Sequence, residues 1–184
     1  SLISVLFPGM SKINDEGEKV KALSRKSIRV LTYIIYPLMT GLLVVAEPLT
    51  IFLYTEKWIA MVPFVWVVCI EAIFSVPGTI TLQSVKAMGY SDKMLKAEIF
   101  KKPILILSII IAMQYGVMAI ALTLPLNTLL EFVINGVMAH KTVDYSIREQ
   151  LWDCLPATIM SVLMGAGVLL VAHLPLGLGT IALL

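Results

Sequence analysis

Long uncharged apolar runs alternate with short charged clusters along this chain. Val30–Ala46 carries no charge, and Leu49–Tyr54 extends it beyond Glu47-Pro48. Ile59–Val85 is 27 residues with one charge, Glu71, and Pro103–His140 is 38 residues with one, Glu131. Cys154–Leu184 has none. A helix needs about 20 apolar residues to cross a bilayer. The 38-residue run is therefore too long for one span, and Gln114-Tyr115-Gly116 is its natural break, since Gly permits a tight turn. Leu174-Pro175-Leu176-Gly177-Leu178-Gly179 divides the last run in the same way. The pattern predicts an all-α integral membrane protein with about five complete transmembrane helices, at 28–54, 59–85, 92–114, 117–139 and 152–173. Partial helices flank them at 1–10 and 179–184. The third helix is expected to begin near Asp92, with Ser91 as its N-cap and Pro103 bending it.

Composition supports this and removes the alternatives. Of 184 residues 59% are hydrophobic, against about 45–50% in soluble domains, and mean hydropathy is +0.93. A soluble fold, a disordered chain, a collagen and a disulfide scaffold are excluded. Cys69 and Cys154 lie in or beside apolar runs and read as two buried thiols. The chain starts at Ser1 and stops at Leu184 inside apolar stretches, so it reads as a piece of a longer membrane protein, one helical bundle over 1–184. The net charge of +2 argues for no nucleic-acid partner.

The position of the charges says more than their sum. Lys plus Arg count six over Lys12–Arg29, one at Lys57, five over Lys86–Lys102, none at Gln114–Gly116, two at Lys141 and Arg148, and none at Leu174–Gly179. Cation-rich short loops stay cytoplasmic. Alternate loops, beginning with Lys12–Arg29, are therefore expected on the cytoplasmic side. Lys12–Arg29 itself mixes both signs and reads as an amphipathic helix on the inner surface, a solvated connector or a binder of acidic lipid headgroups.

Two spans carry a polar face. In Ile59–Val85, the residues Glu71, Ser75, Thr79, Gln83 and Lys86 step by four, four, four and three around Pro77-Gly78. In Val117–Ala139, Thr123, Asn127, Glu131 and Asn135 step by four. A charge near the bilayer centre costs about 2.5–3.5 kcal/mol on insertion scales, so it seldom faces lipid. Each face either lines a water-filled path or makes polar contacts inside a bundle. Ala157, Ser161 and Gly165 form a small-xxx-small stripe that reads as helix packing. No catalytic set, no Gly-rich phosphate loop and no metal-ligand spacing appears, so neither an enzyme nor a cofactor is expected.

Several segments together carry a family resemblance: Leu6-Phe7-Pro8, Tyr36-Pro37-Leu38-Met39-Thr40-Gly41-Leu42, Ala46-Glu47-Pro48-Leu49, Glu56-Lys57-Trp58 with Pro63, and Gln83, Ala87-Met88-Gly89, Asp92, Lys96, Glu98 and Lys101-Lys102. Over about Ser1–Ser161 the chain resembles the polysaccharide-transporter branch of the oligosaccharide-lipid flippases. That branch shares a superfamily with the multidrug and toxic compound extruders. The resemblance implies the second bundle of a two-bundle flippase in the bacterial inner membrane. It implies export of an undecaprenyl-diphosphate-linked oligosaccharide, driven by an ion gradient, beside membrane lipids, a glycan polymerase and glycosyltransferases.

With that reading, Lys86, Lys101 and Lys102 stand at the inner mouth, and Gln83, Asn127 and Asn135 extend the substrate path. Glu71 and Glu131 are the candidates for ion coupling. A multidrug cation antiporter and a structural subunit without cargo are the competing readings. The inner-mouth lysines favour anionic cargo, and the polar faces count against a scaffold.

Overall fold

The computed structural model describes residues 17–173. Five long helices follow one another: α1 Gly17–Tyr54, α2 Val62–Ala87, α3 Ser91–Ala112, α4 Val117–Val143 and α5 Ile147–His173. Short 3-10 turns, Glu56–Met61 and Met113–Tyr115, join α1 to α2 and α3 to α4. No strand occurs among the described residues, and the chain is an all-α integral membrane protein. Four segments are long and apolar enough to cross a membrane: α1, Glu56–Ala87, α4 and Ile147–Val171. The exception is α3, whose 22 residues carry six charges in their first twelve, so its apolar part is only about half a span. The flanking segments 1–10 and 179–184 lie outside the described residues.

The helices overrun the apolar runs at their charged ends. The clearest case is α1. The sequence suggests a surface helix ending at Arg29 and a separate span after it, but Gly17–Tyr54 is one continuous helix of 38 residues. No Gly or Pro interrupts Glu18–Tyr36, so nothing local stops the helix. Ser91 is the first residue of α3 and not its cap; Tyr90 holds that position. Gly89 and Gly116 turn the chain with φ of +78° and +94°, a region open to glycine without penalty. Before α5, Ser146 and Glu149 form a reciprocal cap. The Ser146 amide donates to Glu149 Oε2 at 2.9 Å, and the Glu149 amide donates to Ser146 Oγ at 3.3 Å.

The central helix is α2. It packs against α1 on one side and α4 on the other; α5 lies on α1, and α3 on α4. The interfaces use small residues, as expected where lipid removes the hydrophobic drive between helices. Ala157 and Ser161 are buried, and a Cβ on Gly165 would stand 2.8 Å from Thr40 Cγ2. A Cβ on Gly78 would meet the Phe132 backbone at 3.5 Å, which records how closely α2 and α4 approach. The outward faces of α1, α3, α4 and α5 are apolar and exposed, from Ile34 and Leu38 to Leu163 and Leu170.

Polar groups inside the bundle are all engaged. Among the described residues, no buried side-chain nitrogen or oxygen lacks a partner. Pro77 has no N–H, so the Ile73 carbonyl loses its helical donor. The buried Tyr36 hydroxyl of α1 supplies it, donating at 3.0 Å. At one end of the bundle Asp153 of α5, 1% exposed, gathers three donors. Arg25 reaches it through Nε at 2.8 Å and Nη2 at 3.1 Å. Arg29 reaches it through Nε at 2.9 Å and also through Nη2. The Tyr145 hydroxyl donates at 3.0 Å. Burial first, and then the Asp153 carboxylate, raise the Tyr145 phenol above its ordinary range, so it remains a donor. Lys21 of α1 pairs with Glu149 at 3.0 Å and donates to the Asp144 carbonyl.

Removing Asp153 leaves two guanidiniums facing each other without their counter-ion. Breaking a buried pair costs roughly 3–5 kcal/mol. Both arginines keep partial solvent contact, so Asp153→Ala is expected to cost about 2 kcal/mol, read as unfolding in mixed micelles. Tyr145→Phe should cost about 1 kcal/mol by the same assay. Parent-like stability in both variants contradicts a clamp between α1 and α5.

Candidate functional site: a polar cavity between two helices

The close crossing at Gly78 brings the polar faces of α2 and α4 together. Glu71, Ser75 and Thr79 of α2 and Thr128, Glu131 and Asn135 of α4 line one cavity of about 70 Å³, closed below by Gly78 and Leu82. That volume holds more than one water molecule. Thr128 donates to Glu71 Oε1 at 3.1 Å. Asn135 is buried and donates through Nδ2 to the Gly78 carbonyl at 3.3 Å. Thr79 turns its hydroxyl back to the Ser75 carbonyl at 2.8 Å, leaving oxygen lone pairs toward the cavity.

A second contact links this cavity to α3. Lys101, only 4% exposed, reaches Asn135 Oδ1 at 3.4 Å and pairs with Glu98 at 2.7 Å. Lys101 and the exposed Lys102 share a narrow gap of about 20 Å³ with Asn127 and Glu131. Glu131 therefore borders both spaces. Asn127 itself turns to α3, donating to Ser108 Oγ at 3.0 Å, and to the Thr123 carbonyl at 2.7 Å. Lys86 lines a separate cavity of about 240 Å³ with Ser91, Met94, Leu95 and Glu98. Glu98 thus stands between Lys86 and Lys101. Gln83 is half-buried and lines none of these spaces.

The two polar faces meet, but not as single stripes. The stripe on α4 divides: Asn127 faces α3, while Asn135 reaches the Gly78 carbonyl of α2, and Thr128, outside the stripe, meets Glu71. Thr128 lies three residues before Glu131, so helical spacing could have found it. The Gly78 carbonyl could not be found that way, because its availability depends on the crossing. Lys101 is drawn into the bundle by Glu98 and Asn135 and does not stand open at a surface. Among the described residues, no cluster of three or more His, Cys, Asp or Glu could hold a metal ion. What the arrangement can do is hold water and an exchangeable cation, a proton included, between two carboxyl groups and several neutral donors and acceptors.

The comparisons with known proteins agree with the helical membrane plan. A family described as polysaccharide biosynthesis protein matches residues 1–63. A lipopolysaccharide biosynthesis protein of Escherichia coli K12, WzxC, is 29% identical over 136 residues, 74% of this chain and 27% of that protein. An uncharacterized membrane protein in the cps region of Klebsiella pneumoniae is 36% identical over 66 residues, 36% of this chain and 14% of its own length. The chain is thus similar to polysaccharide biosynthesis proteins. It spans about a quarter of the longer match and less of the other. With four helices long and apolar enough to cross a membrane among the described residues, it is a multi-pass membrane protein, and helical spans suit the bacterial inner membrane, since outer-membrane proteins span as β-barrels. No solved structure matches the chain.

Asn135 touches α2, α3 and the cavity between α2 and α4, so its loss should be felt in all three. Asn135→Leu removes a second donor from the Gly78 carbonyl and one of two acceptors from the Lys101 ammonium, at an expected cost of about 1 kcal/mol in unfolding. Asn135→Asp should keep the Lys101 contact and cost less. Equal stability of Asn135→Leu and the parent shows that the contact to Gly78 carries nothing.

Proposed function

We propose that the chain forms part of a transporter that carries lipid-linked oligosaccharide repeat units from the cytoplasmic to the outer leaflet, coupled to an ion gradient. The observation that supports it most is the cavity bordered by Glu71 and Glu131 beside Pro77-Gly78. A scaffold has little use for two carboxyl groups in otherwise uncharged spans, given what their insertion costs. A carboxyl group whose surroundings change between two access states takes up an ion in one and releases it in the other. Binding near helix breaks inside the membrane is the common transporter plan. Glu71 is the stronger coupling residue, since it lies less than two turns from Pro77 and already holds Thr128.

The cargo of such a transporter carries a diphosphate. Lys86 and Lys102 make no ion pair among the described residues, whereas Lys101 is neutralised by Glu98. These two lysines, Lys86 at the C-terminal end of α2 and Lys102 midway along α3, are the groups that meet an arriving phosphate. Lysines at the loading end disfavour the cationic cargo of a multidrug antiporter.

The coupling reading is tested with Glu71→Gln and Glu131→Gln in vesicles under an imposed proton or sodium gradient. At least one variant should lose gradient-driven transport by tenfold or more while still inserting normally. If both transport at the parent rate, the carboxyl groups only pack the bundle. For loading, the double substitution Lys86→Gln and Lys102→Gln should lower glycan export with insertion intact. Unchanged export assigns both lysines to topology alone.

A further inference from the structure

A groove along α1 plays no part in the reading above. Ala22, Arg25, Lys26, Arg29, Val30 and Tyr33 line about 550 Å³ of open space. Their spacing of three, one, three, one and three puts them on one side of the helix. The space is shallow and open, bounded by α1 alone, so it suits a headgroup lying on a surface and not an enclosed ligand.

The charge in the groove is unbalanced. Arg25 and Arg29 share the one carboxylate of Asp153. Lys26 makes no ion pair among the described residues. Glu149, the neighbouring acid on α5, is held by Lys21 at 3.0 Å. Three cations against one anion leave a net charge of +2 within about one turn of helix. The arginines are also fixed in place. Each spends Nε and Nη2 on Asp153 and leaves Nη1 without a bond among the described residues. Asp153 is 1% exposed, while the Arg25 and Arg29 side chains are 37% and 54% exposed. The carboxylate is thus covered and the outer edges of its partners are open. Arg is suited to phosphate because its planar fork offers several donors in a rigid geometry.

The groove continues into apolar surface. After Arg29, α1 carries no charge until Glu47, and Val30, Tyr33, Ile34 and Leu38 are all exposed. The cations therefore stop where the lipid-facing stripe starts. They also lie at the bundle end that the loop charges assign to the cytoplasmic leaflet. We propose that the groove binds the phosphate headgroup of an anionic membrane phospholipid at Arg25, Lys26 and Arg29, with an acyl chain along Val30, Tyr33, Ile34 and Leu38. Basic pockets at this depth attract such headgroups. Asp153 is a positioning residue here: it holds both guanidiniums by their inner edges. The site lies on the α1–α5 side of α2, away from the α2–α3 space that holds Lys86. It is therefore separate from the cargo route.

The test uses the full-length protein purified in a neutral maltoside detergent. Binding of phosphatidylglycerol is titrated by native mass spectrometry, with phosphatidylcholine, inorganic phosphate and undecaprenyl phosphate in parallel. Phosphatidylglycerol should bind at lower concentration than phosphatidylcholine, and phosphate at matched concentration should not displace it. Lys26→Gln should weaken phosphatidylglycerol about fivefold, as expected for one cation near an anionic surface. Lys26 has no ion-pair partner to lose among the described residues, so the fold should survive, which circular dichroism checks. Lys96→Gln, an exposed cation of α3, should leave affinity unchanged. Equal weakening by Lys96→Gln reduces the effect to diffuse attraction and overturns the site. Parent affinity in Lys26→Gln, or displacement by inorganic phosphate, overturns it too. Tighter binding of undecaprenyl phosphate than of phosphatidylglycerol would make the groove a cargo subsite and also overturn the proposal.

Discussion

Pro77 leaves a carbonyl without a donor in the middle of an apolar helix, and the neighbouring helices are arranged around that deficit. In hydrocarbon no water can satisfy the Ile73 carbonyl, so a protein group must do so. Tyr36 does, which fixes the register of α1 against α2. On the opposite side Gly78 lets α4 come close enough for Asn135 to reach the backbone. That approach is also what faces Glu71 toward Glu131 across a cavity. The polar site and the missing helical hydrogen bond are thus two results of one Pro-Gly pair.

The end of the bundle is organised differently. There the constraint is electrostatic, with one buried carboxylate taking donors from two arginines and a tyrosine. This cluster explains why α1 runs unbroken from its charged first turns into the span. Its arginines turn inward to α5 and do not simply lie on the headgroups. A charge triad of this kind is weak evidence for stability by itself, since desolvation offsets much of the attraction. Its clearer effect is orientation: α1, the α4–α5 turn and α5 are tied at one point, and the outer donors of both arginines stay available.

Much of the helical plan was legible in the pattern of runs, because span length is imposed by bilayer thickness and not by details of packing. Gly116 was legible as a break for a comparable reason, its φ of +94° being open to glycine. The cap formed by Ser146 and Glu149 follows the three-residue spacing of a capping box and is legible in the same way. The Asp153 cluster was not visible, since Arg25 and Asp153 stand 128 positions apart and only the tertiary packing joins them. Lys101 shows the limit best. From sequence it stands at the inner mouth of the substrate path, whereas in the fold Glu98 and Asn135 hold it inside the bundle. The split of the α4 stripe between Asn127, which meets α3, and Asn135, which reaches α2, belongs to the same class, because helical periodicity gives a face without saying which neighbour it meets.

The central claim is that the space between α2 and α4 is wet. Substituted-cysteine accessibility tests it directly, in a background where Cys69 and Cys154 are replaced by Ala. Single cysteines at Ser75, Thr79 and Glu131 line the cavity, while Leu129 and Val133 are exposed on the outward side of the same α4. A small charged methanethiosulfonate reacts only with thiolates in contact with water. The account predicts that positions 75, 79 and 131 are modified in membranes and that 129 and 133 are not. Unreactive cysteines at all three cavity positions, with the protein correctly inserted, would mean a dry polar contact between two helices and would contradict it.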